Sequence, residues 1–268
     1  EEFNDATYSA LRERSVGLGV MGLHSFFQQK MIPLESVMSK VWNKKIFKYI
    51  QKEVDKASQD LAEERGPCPD AADYGINERF SNKTAIAPTA SISIICGGTS
   101  PGVEPIAANS FTHKTLSGSF NVRNRYLEKL LKKHNKNDDE TWSSITTNQG
   151  SISHLEFLTK QEKDVFKTAF EMDQKWIIEL GGDRTPYISQ AQSINIFVPA
   201  DIHKKELHQI HFQAWKKGLK SLYYCRSKSI QRAENINSGS STDVTNNVYK
   251  SDTEDSNQND YEECLSCQ

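Results

Sequence analysis

Residues 85–105 read AIAPTASISIICGGTSPGVEP. An apolar run enters at Ala85 and stops at Pro88, the small hydroxylic residues Thr89, Ser91 and Ser93 follow at a helix start, and a turn over Gly97-Gly98-Thr99-Ser100-Pro101-Gly102 comes next. Strand, turn and helix start in succession are the units of an α/β protein, whose buried parallel strands deliver functional residues to the loops after their C-terminal ends. Free backbone N–H groups and short hydroxyls at a helix N-terminus make an anion site without a fixed cation, and a phosphate fits there. An ordinary N-cap followed by a glycine turn also accounts for these residues, and Walker and dinucleotide fingerprints are both absent.

Working outward, the apolar positions Val37, Val41, Ile46, Ile50, Val54, Ala57 and Leu61 recur three to five apart between charged residues, which predicts a long amphipathic helix from Pro33 to Arg65, ended by Gly66-Pro67. A shorter helix is expected at Val16–Gln28, where glycines in VGLGVMGLHSFF allow another backbone close approach. Two more are expected over 161–180, stopped by Gly181-Gly182, and over 203–218. The runs TAIAP, SINIFVP and SLYYCR suit buried strands between them.

Composition limits the possible functions. The chain has 268 residues, 36% hydrophobic, with a net charge of −2 and no long basic run, so neither nucleic acid nor an anionic membrane is expected as a partner. No stretch approaches eighteen consecutive apolar residues, and the opening EEFNDATYSA is no signal peptide. Five cysteines, an odd and low count, fit a reducing compartment, and the expected location is cytoplasmic. Beyond Arg232 the sequence becomes too polar to offset chain entropy, so residues 1–232 are expected to fold and 233–268 to form a flexible C-terminal arm.

Two further stretches carry chemistry. Tyr223 and Tyr224 stand side by side on a strand-like run, where consecutive side chains face opposite ways; the pair could link two environments or be one core and one surface tyrosine. Cys264 and Cys267 form a C-x-x-C at the tip of the arm. A structural zinc would need two more ligands, and His211, the nearest histidine, is more than fifty residues back, so no metal site is expected and a redox dithiol is favoured. Cys68, Cys96, Cys225, His113 and His154 are assigned no chemistry.

APTASISIICGGTSPGVEPIAAN, THKTLSGSFNVRN, RTPYISQAQSINIF, WKKGLKSLYYCRS and the terminal ECLSC, in this order, resemble the C-terminal third of the large (alpha) subunit of class I ribonucleotide reductase. The resemblance runs from about Arg12 onward. It implies the later strands and helices of a ten-stranded α/β barrel, with Pro88, Thr89, Ala90, Ser91 and Ile92 holding the diphosphate of a ribonucleoside diphosphate substrate. It implies that Tyr223 and Tyr224 end a radical path from a small (beta) subunit, which carries the metal-tyrosyl or related radical cofactor, none being bound by this chain. Cys264 and Cys267 match the family's arm dithiol, which reduces the disulfide formed in each turnover. Some thirty residues of arm give a reach of about 30 Å, enough to shuttle between a barrel interior and a thioredoxin or glutaredoxin outside.

The resemblance also implies that the thiyl-forming cysteine, its companion carboxylate and asparagine, the disulfide-forming cysteines and the effector region belong to segments upstream of residue 1. A fragment or a split-gene product is therefore expected, active only with the N-terminal part of the alpha subunit. The rival readings are a non-catalytic binding or assembly module that keeps the phosphate loop, and a stand-alone thiol-disulfide carrier. The second leaves Tyr223-Tyr224 and the phosphate loop without a use.

Overall fold

A computed structural model describes residues 3–115 and 118–228, so the expected arm, its boundary at 232/233 and both Cys264 and Cys267 lie outside the described residues. In chain order the elements are α1 (Asn4–Glu13), α2 (Leu23–Gln29), α3 (Val37–Arg65), α4 (Pro69–Asp73), α5 (Ala90–Ile95) and the strands β1 (Ser110–Thr115) and β2 (Gly118–Arg123). There follow α6 (Arg125–Lys133), α7 (Asp139–Thr147), α8 (Lys160–Val165), α9 (Gln174–Arg184), β3 (Ile196–Pro199), α10 (Lys204–Lys216) and β4 (Cys225–Lys228). Among the described residues no helix is long and apolar enough to cross a membrane.

Four stretches of chain lie side by side and run the same way. Leu18 bridges Thr84 in parallel, Ile86 bridges Gln192 in parallel, and β3 pairs with β4 in parallel from Ile196–Cys225 to Pro199–Lys228. Parallel neighbours need long crossovers, and helices supply them: α2 and α3 before the second stretch, α10 before the fourth. The inner residues Ile194, Ile196, Phe197 and Val198 are buried under α9 and α10, as in one wall of an α/β barrel. SINIFVP and SLYYCR thus contribute the strands β3 and β4, whereas TAIAP forms single bridges on each side rather than a regular strand.

Two expected helices are corrected. Val16–Gln28 is extended up to Gly22, with a helix only at α2, because this stretch is an edge: Val16 N–H donates to Asn82 O at 2.9 Å and Leu18 N–H to Lys83 O at 3.0 Å. The close approach expected of its glycines is real, since a Cβ on Gly19 would sit 2.7 Å from the Ala85 carbonyl oxygen. The run 161–180 is two helices, α8 and α9, because Ala169 N–H turns inward to donate to Ile106 O at 2.8 Å. Thr159 and Glu162 form a capping box at the start of α8, and the Asp173 side chain caps α9. Nor do Gly181 and Gly182 stop α9, which runs on to Arg184; their bare surfaces let β3 and α10 approach, a Cβ on either meeting Ile194 or Lys217 at 2.9 Å.

The long helix α3 ends at Arg65 as expected but starts at Val37 rather than Pro33, because Ser36 is its N-cap and accepts from Ser39 N–H. Its buried face, however, is Ser39, Asn43, Phe47, Ser58 and Ala62, while Val37 and Val41 are exposed. Polar contacts to α9 set this rotation: Asn43 Nδ2 donates to Leu180 O at 2.9 Å. The hairpin β1–β2 and helices α6 and α7 were not anticipated; the helices form a second core with α8, in which Leu127, Leu131, Trp142, Ile145 and Phe166 are buried.

Charge completes the packing of α3, α9 and α10. Glu179 on α9 accepts from Lys40 Nζ at 2.9 Å and from Lys217 Nζ at 2.8 Å, while Asp183 faces Lys40 and Lys44 at 3.4 and 3.3 Å. Burial works against a charge on Glu179, yet Lys217 and Lys40 hold its carboxyl down to about 2. A depressed carboxyl contributes stability that is complete above the ordinary value of 4.5 and is lost as pH falls towards 2. Glu179→Gln is therefore expected to destabilise the chain by about 1 kcal/mol at pH 7, with the gap from wild type closing between pH 4.5 and 2. Urea unfolding of both chains across that range checks it; a gap independent of pH removes the carboxylate from the account.

Candidate functional site

Residues 85–89 fold as a tight turn feeding α5. Thr89 sits in the left-handed region, φ +55°, and its side chain does not cap α5. Instead Thr89 Oγ1 accepts from Gly102 N–H at 2.7 Å, tying the start of the loop to its end. The Thr89 carbonyl accepts from Ser93 N–H at 2.9 Å, and Ser93 Oγ donates to Ala90 O at 2.8 Å. Neither hydroxyl is spent on the first N–H groups of α5, so those of Ala90, Ser91 and Ile92 remain available, with Ser91 and Ile92 exposed beside them. The ordinary N-cap is thus not what forms.

The loop is anchored from below. Ser25 and Ser100 exchange hydrogen bonds, Ser100 N–H to Ser25 Oγ at 2.8 Å and Ser25 N–H to Ser100 Oγ at 3.1 Å. Gly102, φ +47°, lies so close to the incoming strand that a Cβ there would meet Ala87 O at 2.9 Å. The glycine turn therefore has a steric cause: the loop doubles back over its own strand.

Beyond the turn, Glu104 enters the interior and is only 4% exposed. Its Oε1 accepts from Asn195 N–H at 2.5 Å and its Oε2 from Asn195 Nδ2 at 3.0 Å. Burial pushes the Glu104 carboxyl above the usual range, and Asn195, Arg226 and Arg184 oppose that shift. Arg184 is itself buried, which lowers its guanidinium to about 9; Nε donates to Gln192 Oε1 at 2.5 Å and Nη1 to Asn43 Oδ1 at 3.4 Å. Sequence reading missed Glu104 and Asn195, and the available signal was a carboxylate directly after a glycine-rich turn.

Tyr223 and Tyr224 lie just ahead of β4, and the opposite-facing arrangement expected of a strand is not what forms. Their ring centroids are 4.2 Å apart at 54°, and they are 40% and 44% exposed, so neither is a core tyrosine. Tyr224 N–H donates to the Asn195 side chain, Oδ1 at 3.0 Å, rather than to a strand carbonyl, so the pleat does not dictate where the rings point. The Arg226 guanidinium lies 5.7 Å from the centroid of the Tyr224 ring.

Strand pairing puts the loop and the tyrosines on the two sides of one segment. Ile86 is level with Gln192, and from there the two chains run on in the same direction, to the Pro88 turn and to Ile194. On the other side of Ile194, Tyr223 N–H donates to its carbonyl at 2.8 Å. The Pro88 turn and Tyr223 thus approach this segment from opposite sides. Of the remaining candidates, Cys68 is buried, Cys96 and Cys225 are exposed, His113 lies in β1, and His154 shares a hydrogen bond with Ser144 Oγ at 2.6 Å. Among the described residues no group of three or more His, Cys, Asp and Glu side chains is placed to hold a metal.

Known proteins resemble this chain over most of its length. The family described as "Ribonucleotide reductase, barrel domain" matches residues 2–74 and 70–225. The ribonucleoside-diphosphate reductase large subunit of Invertebrate iridescent virus 6 is 49% identical over 87% of this chain and 24% of its own length. That of Invertebrate iridescent virus 3 is 42% identical over 88% of this chain and 38% of its own. The class Id ribonucleotide reductase alpha subunit of Actinobacillus ureae superposes with a TM-score of 0.78 at 39% identity, covering 89% of this chain and 43% of that one. The chain therefore spans about a quarter to two-fifths of the relatives it matches. On sequence and on fold together, it belongs to the ribonucleotide reductase family, through the barrel domain.

Proposed function

We propose that this chain supplies three working parts of a ribonucleoside-diphosphate reductase: the substrate phosphate loop at Pro88–Ile92, the radical-transfer pair Tyr223–Tyr224, and the dithiol Cys264–Cys267. The reaction replaces the 2′-hydroxyl of a ribonucleoside diphosphate by hydrogen. Two thiols become a disulfide and the hydroxyl leaves as water. The partners in this reading are the N-terminal part of the alpha subunit, a radical-generating beta subunit, and thioredoxin or glutaredoxin, all in the cytoplasm. The matched relatives' names, ribonucleoside-diphosphate reductase large subunits, support it at the level of the whole enzyme.

One observation carries the finer assignment: Ile86 bridges Gln192 on one side of this segment and Tyr223 N–H donates to Ile194 O on the other, so the Pro88 turn and the tyrosines approach the same segment from its two sides. Substrate phosphates held by the N–H groups of Ala90, Ser91 and Ile92 would lie one strand away from the tyrosines. That arrangement suits a radical delivered to a nucleotide from the side. The 4.2 Å ring approach supports direct exchange between the tyrosines, each passing on one electron with its phenolic proton.

The first test replaces either phenol. Tyr223→Phe and Tyr224→Phe keep the ring and remove the proton that must leave. In enzyme reconstituted with the N-terminal part and the beta subunit, turnover is expected to fall to background while diphosphate binding stays within about twofold. Substantial turnover by either variant would show that the radical goes elsewhere. The second test separates the dithiol from the chemistry. The pre-reduced double variant Cys264→Ser/Cys267→Ser is expected to complete about one turnover and stop with thioredoxin, and dithiothreitol should restore part of the multiple-turnover rate. A missing first turnover places the pair in the reduction itself, and undiminished thioredoxin-dependent turnover removes it from function.

A further inference from the structure

Among the described residues Glu104 is the one buried carboxylate, and both of its oxygens are occupied by a single partner. Asn195 gives it a backbone N–H at 2.5 Å and a side-chain N–H at 3.0 Å. A carboxylate only accepts, whereas an asparagine amide has one donating and one accepting end. Turning the Asn195 amide over would set its oxygen against the carboxylate, so Glu104 fixes which way the amide points. The accepting end then faces Tyr224, whose N–H it receives at 3.0 Å. Tyr223 N–H to Ile194 O at 2.8 Å and Ile196 N–H to Tyr224 O at 2.9 Å complete the hold on this dipeptide. The charge of Arg226, whose guanidinium lies over the Tyr224 ring, also acts on Glu104.

We infer that Glu104 is a positioning residue for the tyrosine pair: by orienting the Asn195 amide it fixes the Tyr224 backbone, and with it the 4.2 Å approach of the Tyr223 and Tyr224 rings. The value of that approach for radical transfer rests on the proposed function. The geometric claim does not. Residue 104 also lies just past the Gly97–Gly102 turn, so one side chain couples that turn to the tyrosines across the strand between them.

Glu104→Gln in the 268-residue chain is the discriminating variant, because it preserves size and offers one acceptor to two Asn195 donors. Either the Asn195 amide turns over, releasing Tyr224 N–H, or Asn195 N–H itself loses its acceptor. Amide hydrogen exchange at one of these two positions is expected to quicken about tenfold or more. Exchange at Phe197, whose N–H donates to Gln174 instead, should stay within about twofold, which a general loss of stability would not allow. The proton–proton Overhauser contact between the two rings should weaken. Asn195→Ala, which removes the oriented amide directly, should release Tyr224 in the same way. Unchanged exchange at both positions and an undiminished ring contact in folded Glu104→Gln would overturn the inference, as would an undiminished ring contact in Asn195→Ala. In reconstituted enzyme Glu104→Gln should lower kcat about tenfold with KM for the diphosphate unchanged. An unaltered kcat despite separated rings would sink the link to function alone. Failure of the radical path itself is read separately, from turnover by Tyr223→Phe.

Discussion

A guanidinium without water around it is costly, and Arg184 places one in the middle of this chain. It is held by Gln192 from the strand segment and by Asn43 from α3, with the Phe47 ring 5.8 Å from its centre. The same Asn43 and Gln192 bind main-chain carbonyls of α9, at Leu180 and Gly181. Helix α3, helix α9 and the strand beginning at Gln192 are therefore fixed to one another through a small polar centre inside an apolar layer. Such a centre adds little net stability over well-packed hydrocarbon, but it tolerates one alignment of its partners and penalises others. The alignment matters because Gln192 is also the residue that bridges Ile86. The Pro88–Ile92 turn and the tyrosines thus lie on the two sides of a segment that an internal arginine holds in place.

Legibility in the sequence followed the range of the forces concerned. Helix α3 was readable because the spacing of its apolar residues and Gly66 are local signals; its N-cap, Ser36, was not used and the start was placed at Pro33. Its rotation was not readable, since the partners of buried Asn43, at Leu180 and Arg184, lie about 140 positions away. The stretch 16–22 was misread as helical because apolar residues around glycines look alike whether they pack on a helix or line a strand. Only the approach of Ala85 to Gly19 separates the two. Helix α6 could have been found from the Asn124 cap and the spacing of Leu127, Leu130 and Leu131.

The functional residues divide in the same way. Pro88–Ile92 and Tyr223–Tyr224 were visible as unusual strings, and motif resemblance implied the roles proposed for them before any geometry was known. Their relation to each other was invisible. Two adjacent strand residues should point apart, and they do not, because Asn195 replaces a strand carbonyl as the acceptor for Tyr224. Glu104 is a single charged letter after a glycine turn, and nothing local says that its partner lies 91 positions later.

The bridge between Ile86 and Gln192 has a consequence for chain entropy. Joining its ends closes a loop of about 100 residues, a cost of roughly 4 kcal/mol for a featureless chain. The two backbone hydrogen bonds at the bridge return about 1 kcal/mol each. What lies inside the loop reduces the cost. The β1–β2 hairpin and helices α6 to α8, with their own buried core, fold much of its length back on itself. In polymer terms, the long excursion from Ile86 to Gln192 acts as a much shorter tether. The segments at Ile86 and Gln192 can therefore meet at little more entropic cost than neighbours joined by a single helix.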